Sequence, residues 1–147
     1  MWVLNERKNL AKSAYQNFIA FLPNKYTNFP IMFDTKDKKL CRNSFLLDII
    51  NNERGYLEED YITLKRHKLL QKITKKEYFQ AYTIFQSRTY QYTNSQKKTL
   101  TSYIPLVDLF NYKGGKEHGH NKVAWKFENN NFVVYAFDNI EPGSKVS

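Results

Sequence analysis

The sequence predicts an α+β fold, with a helical region to about residue 100 followed by part of a small twisted β-sheet. Three observations carry this. Apolar residues recur at helical spacing in the N-terminal part, Thr74-Lys75-Lys76-Glu77 forms a capping box that opens a helix, and beyond residue 101 the apolar period falls to two.

The first helical stripe covers residues 2–22, where Val3, Leu10, Ala14, Tyr15, Phe18, Ile19 and Leu22 fall on one face until Pro23 stops it. Residues 24–34, flanked by Pro23 and containing Pro30, read as a connector, because each proline biases its predecessor away from helix. A second helix starts near Asn43 as N-cap and runs through Phe45, Leu46, Ile49 and Ile50, with Gly55 expected to break or bend it; helix resumes over residues 56–70. The capping-box helix follows, with Tyr78, Ala81, Tyr82 and Phe85 as its expected core face. Residues 90–101 read as a polar, lysine-bearing loop and the flexible joint of the chain. Val123-Ala124-Trp125-Lys126-Phe127 and Phe132-Val133-Val134-Tyr135-Ala136-Phe137 flank an asparagine turn as a β-hairpin, and Glu141-Pro142-Gly143 is a further turn.

Composition bounds the function. Of 147 residues, 41% are hydrophobic and 16% aromatic, enough for a core built largely from Tyr and Phe and too apolar for intrinsic disorder. The 23 Lys and Arg against 14 Asp and Glu give +9, which favours acidic partners. The lysines are scattered over several segments without an arginine-rich tract, so the charge reads first as a solvated surface and second as a polyanion patch. Cys41 is alone, which excludes an internal disulfide or a cysteine-based zinc site. No stretch approaches a membrane span and no secretory h-region follows Met1, so the expected location is intracellular, cytoplasmic or nuclear.

Several constellations bear on chemistry. Glu58, Glu59 and Asp60 are adjacent carboxylates whose side chains diverge on a helix, which suits a solvated face better than acid–base work. His118-Gly119-His120, with His67 elsewhere, lacks a third ligand at regular spacing, so no metal is expected. Glycine-rich phosphate loops are missing, and Ser87 and Ser102 have no histidine at a triad-like spacing. The informative segment is Tyr103-Ile104-Pro105-Leu106-Val107-Asp108-Leu109-Phe110-Asn111. It sets Asp108 and Asn111 among apolar residues, and buried polar groups persist where amides or a ligand satisfy them. From spacing alone, an Asp capping a short helix and an Asn ending it explain the pair better than a ligand site does.

Residues 105–111 resemble the "P-L-x-D-x-x-N-H" segment of SET-domain methyltransferases of the plant Rubisco large-subunit methyltransferase type, a group that includes the actin-histidine methyltransferase. In the same order, Ser87-Arg88 resembles that family's "S-R" pair, and Tyr15 to Leu22-Pro23 its "Y-x-x-x-L-P" segment. Trp125, the hairpin and Ile140-Glu141-Pro142-Gly143 resemble its approach to the active site. The resemblance implies residues 1–100 as the substrate-side helical SET insert and 101–147 as a truncated part of the SET core. It further implies S-adenosylmethionine-dependent methylation of a protein lysine, or of a histidine. The implied cofactor site is Arg88, Asp108, Leu109, Phe110, Asn111 and Tyr112, with Arg88 suited to the cofactor carboxylate and Asn111 to its methionyl end or adenine.

Two departures shape the expectation. Tyr112 stands where the family has histidine. The family's catalytic tyrosine belongs beyond Lys145-Val146-Ser147 and its glycine-rich strands before Met1, so no catalytic residue is expected within the chain, and cofactor binding is expected to be weak and without turnover. A monomer acting on a protein substrate is expected, without membrane or nucleic acid as partner. The rival readings are a catalytically dead relative whose helical insert recruits a protein, and a basic RNA-binding protein, which would bind with steep salt dependence.

Overall fold

The computed structural model describes residues 2–110, 123–129, 131–137 and 139–144. Helices and antiparallel strands are both present, as the α+β expectation requires. The chain divides into two compact units, Met1–Ser87 and Arg88–Ser147.

The first unit is helical. Its N-terminal stripe is not one helix but α1 (Trp2–Lys8), a 3-10 turn at Leu10–Lys12 and α2 (Gln16–Phe21). The break is local chemistry: the Ser13 hydroxyl takes the amide of Tyr15 at 3.0 Å and donates to Glu6, so the backbone is offered an alternative to the helical ladder. Pro23 ends the stripe as expected, with Leu22 extended before it. Two guanidinium bonds then fasten the corner, from Arg7 Nη2 to the carbonyls of Leu22 at 3.1 Å and Pro23 at 2.7 Å.

After a second 3-10 turn at Pro30–Met32 comes α3 (Thr35–Leu40), whose N-terminus carries a reciprocal Asp34/Asp37 capping box. The 22-residue α4 (Phe45–Arg66) corrects two expectations. Ser44, not Asn43, is its N-cap, accepting from the Leu46 amide at 3.2 Å, while Asn43 takes a positive φ of 66° in the turn before it. Helix α4 runs through Gly55 without a break. One glycine costs a helix about 1 kcal/mol, less than the burial of Ile50 and Leu57 on either side returns.

Helix α5 (Lys75–Arg88) starts at the capping box read from the sequence. Its buried face, however, is Phe79, Gln80, Ala81, Thr83 and Ile84, with Tyr78 and Tyr82 half-buried and Phe85 exposed. The helix is packed on two sides. Ala81 joins Leu4, Leu70 and Ile73 in one apolar cluster, Phe79 joins Ile31 and Leu57 in another, and Tyr78 packs against both. Gln80 is buried because its amide clamps the backbone of Tyr26, accepting from the amide at 2.7 Å and donating to the carbonyl at 3.0 Å.

Among the described residues, the second unit contains two separate antiparallel hairpins. The expected loop over residues 90–101 is instead β1 (Thr89–Thr93) paired with β2 (Thr99–Tyr103). Threonine and tyrosine at alternating positions favour strand, and only the central Asn94 to Lys98 stretch turns, with Asn94 Oδ1 accepting the amides of Gln96 and Lys98. The hairpin expected after residue 122 is present as β3 (Val123–Glu128) and β4 (Asn131–Ala136), its strands closing at the Glu128–Asn131 pair, with Asn129 at φ 49° in the turn. Aromatic rings join the two hairpins: Tyr90 meets Trp125 and Phe132 edge-on at 5.7 and 5.6 Å, and Tyr92 stacks on Phe127 at 4.5 Å. The turn at Glu141-Pro142-Gly143 is also present, closed by the Ser144 amide on the Glu141 carbonyl, with Gly143 supplying the positive φ of 78°.

Candidate functional site

Arg88 and Asp108, assigned to one site by sequence resemblance, meet in the second unit. Arg88 is the last residue of α5, and Asp108 lies in a 3-10 turn, Val107–Leu109. The turn is set by Ile104, whose carbonyl accepts the amides of Val107 at 3.1 Å and Asp108 at 3.2 Å. Pro105 suits the first corner of this turn, but the second corner, Leu106, must take a φ of 74°, a conformation that L side chains other than glycine or asparagine pay to adopt. The effect is to tuck the Asp108 side chain inward, where it is fully buried.

The electrostatics of the pair are unusual. Arg88 Nη1 donates to the main-chain carbonyl of Asp108 at 2.8 Å and lies 3.6 Å from Oδ2, so its charge faces the carboxylate while its hydrogen bond goes to the backbone. Neither carboxylate oxygen has a partner of hydrogen-bonding geometry among the described residues. Burial pushes the Asp108 carboxyl above its ordinary range, against the opposing pull of the Arg88 guanidinium and the nearby amides of Asp108 and Leu106.

Tyr90 belongs to the same cluster and was missed in the sequence. Its hydroxyl donates to the Val107 carbonyl at 2.9 Å, fixing the turn from the β1 side. Burial raises its phenol, and the Asp108 charge raises it further. The signal was available in the alternating Thr89-Tyr90-Gln91-Tyr92-Thr93, which marks a strand with both tyrosines on one face.

The other assigned residues divide. Leu109 and Phe110 follow Asp108 but are 44% and 38% exposed, so they are not drawn into the buried pair. Asn111 and Tyr112 lie outside the described residues, as do His118 and His120. Models of known protein families give no match to this chain, and none of the curated proteins matches it.

Of the other carboxylates and serines singled out in the sequence, Glu58, Ser87 and Ser102 are engaged in hydrogen bonds or an ion pair. Glu58 pairs with Lys75 at 3.0 Å on the surface, the Ser87 hydroxyl is shared with Tyr26 and the Ile84 carbonyl, and Ser102 faces the Tyr92 hydroxyl at 3.4 Å. No group of three metal-ligating side chains occurs among the described residues, and none of the described helices is long and apolar enough to cross a membrane.

The arrangement therefore offers one guanidinium, one buried carboxylate with unused acceptor capacity, and one anchored phenol. The part-exposed Arg88 guanidinium can take an anionic group, while the fully buried Asp108 carboxylate is closed to a ligand. Nothing in it activates a nucleophile.

Proposed function

We propose that this chain carries the cofactor-binding part of an S-adenosylmethionine-dependent protein methyltransferase of the SET type, with a lysine or histidine side chain of a protein as acceptor. The supporting observation is the meeting of Arg88 and Asp108, which stand 20 residues apart in the chain at the two positions where the motif resemblance expects cofactor ligands.

The donor set fits the group. The methionyl end of the cofactor carries a carboxylate and an ammonium, and the part-exposed Arg88 guanidinium supplies the charge that complements the carboxylate, while the fully buried Asp108 holds the turn beside it. When bound, the cofactor's sulfonium supplies a methyl group to an approaching amine or imidazole nitrogen. The chain's own residues bind and orient: Arg88 holds an anionic end, Asp108 fixes Arg88 through its carbonyl, and Tyr90 fixes the turn that carries Asp108. Such positioning is where enzymes of this kind gain rate.

Calorimetric titration with S-adenosylmethionine and S-adenosylhomocysteine tests the reading, together with a methylation assay on extract proteins. Saturable binding of either compound is expected, weakened by about tenfold or more in Arg88→Met and largely kept in Arg88→Lys, as loss of one charge-assisted contact predicts. Absence of binding by the folded chain, or equal binding by Arg88→Met, overturns it.

A further inference from the structure

The first unit contains a hollow of about 400 Å³, lined by Leu4, Arg7 and Lys8 of α1, Asn24 and Lys25 after α2, and Lys76, Glu77 and Gln80 of α5. Its size is that of small-ligand sites rather than of an extended polymer track. Four of its side chains are cationic and one is anionic.

The single carboxylate is already committed. One Glu77 oxygen accepts from the Thr74 amide and the Thr74 hydroxyl, both at 2.7 Å, and these bonds hold its acidity high. Of the lysines, Lys8 also acts on Glu77, lowering its carboxyl further, while Lys25 and Lys76 do not figure among the causes of that shift. Lys8 donates to the neutral carbonyl of Lys72, and none of the ion pairs among the described residues includes Lys8, Lys25 or Lys76. Three ammonium groups thus border one concave space with an apolar wall in the buried Leu4.

The walls are well held. Arg7 is fastened to the carbonyls of Leu22 and Pro23, and Gln80 clamps the Tyr26 backbone, so the segment bearing Lys25 is bracketed between α1 and α5. Like charges gathered round a cavity repel one another, and a polyanionic ligand removes that cost while contributing charge-assisted hydrogen bonds.

We propose that this hollow binds a phosphorylated small organic molecule of roughly mononucleotide size, its phosphates on Lys8, Lys25 and Lys76 and its organic part against Leu4. The site is independent of Arg88 and Asp108.

The test uses the full chain and three probes, inorganic phosphate, pyrophosphate and ADP, titrated by calorimetry. ADP is expected to bind saturably and more tightly than pyrophosphate, with inorganic phosphate weakest. The exposed pair Lys25→Gln/Lys76→Gln should weaken ADP binding by about tenfold or more, whereas the charge-matched control Lys36→Gln/Lys39→Gln on α3 should change it less than about twofold. Circular dichroism establishes that each variant is folded. Three results overturn the proposal: no saturable ADP binding, ADP binding no tighter than pyrophosphate, or equal weakening by the control pair, which would make the effect one of overall charge.

Discussion

One guanidinium nitrogen of Arg88 lies 2.8 Å from the carbonyl oxygen of Asp108 and 3.6 Å from that residue's Oδ2, so a single cation both caps a tight turn and offsets part of the cost of burying its carboxylate. Removing the cation leaves both jobs undone. Arg88→Gln is expected to lower stability by about 1–3 kcal/mol, the cost of leaving buried polar groups without a partner. Asp108→Asn should soften that loss, because the amide has no charge to strand. In urea unfolding of the two single variants and the double variant, the double should therefore be less destabilised than the sum of the singles. Simple additivity would show that the pair is not coupled.

The same burial makes Asp108 a source of pH dependence. Its carboxyl is pushed above the ordinary value of 3.8, so the folded chain holds that proton more tightly than the unfolded chain. From 3.8 up to the raised folded value, this group's contribution to stability therefore falls as pH rises. Asp108→Asn lacks the slope. Its stability relative to the parent should be higher at neutral pH than in acid, measured by denaturant midpoints across a pH series.

Glu77 works in the opposite direction. Hydrogen bonds from the Thr74 amide and then the Thr74 hydroxyl depress its carboxyl below the ordinary 4.5, so the stability it contributes is present above 4.5 and is lost as pH falls through the depressed value. Thr74→Ala removes the hydroxyl that also accepts the Glu77 amide at 3.2 Å. A loss of about 1 kcal/mol is expected at neutral pH. The difference between parent and variant should shrink in acid.

Leu106 tests whether the turn before Asp108 stores strain. It sits at φ 74° with its side chain 73% exposed, so it contributes little packing to offset the left-handed conformation. Leu106→Gly is expected to raise stability by about 0.5–1 kcal/mol, the left-handed penalty reduced by the greater entropy glycine has when unfolded. A lower thermal midpoint for the glycine variant would mean that the leucine makes contacts of greater value than its exposure implies.

How much of this was legible depends on the range over which each signal acts. The Thr74/Glu77 capping box and the β3–β4 hairpin were read correctly because their determinants lie within a few residues of each other. From sequence, residues 90–101 read as a loop because the polar turn, Asn94 to Lys98, outweighs two short runs of threonine and tyrosine whose strand preference depends on a partner. On α5 the expected face was off by part of a turn, since Phe79 and Ile84 are buried by segments distant in sequence, and Gln80 is buried for a backbone clamp that no periodicity encodes. Motif resemblance paired Arg88 with Asp108, but the role of Tyr90 depends on its hydroxyl reaching Val107, 17 residues away.

Gly55 shows how a local rule yields to context, and it supports a last prediction. The residue lies near the middle of α4, exposed, with ordinary helical surroundings, and a Cβ built on it would meet nothing within 4 Å. The helix passes through it because Ile50 and Leu57, at 1% and 3% exposure, anchor the segments on both sides. Glycine here therefore costs backbone entropy without serving a turn or a close approach. Gly55→Ala is expected to stabilise the first unit by about 0.5–1 kcal/mol, chiefly by restricting the unfolded chain. A rise in thermal midpoint with an unchanged far-ultraviolet helical signal is the expected result. A fall would show that α4 needs the freedom of Gly55, and the continuous helix from Phe45 to Arg66 would have to be abandoned.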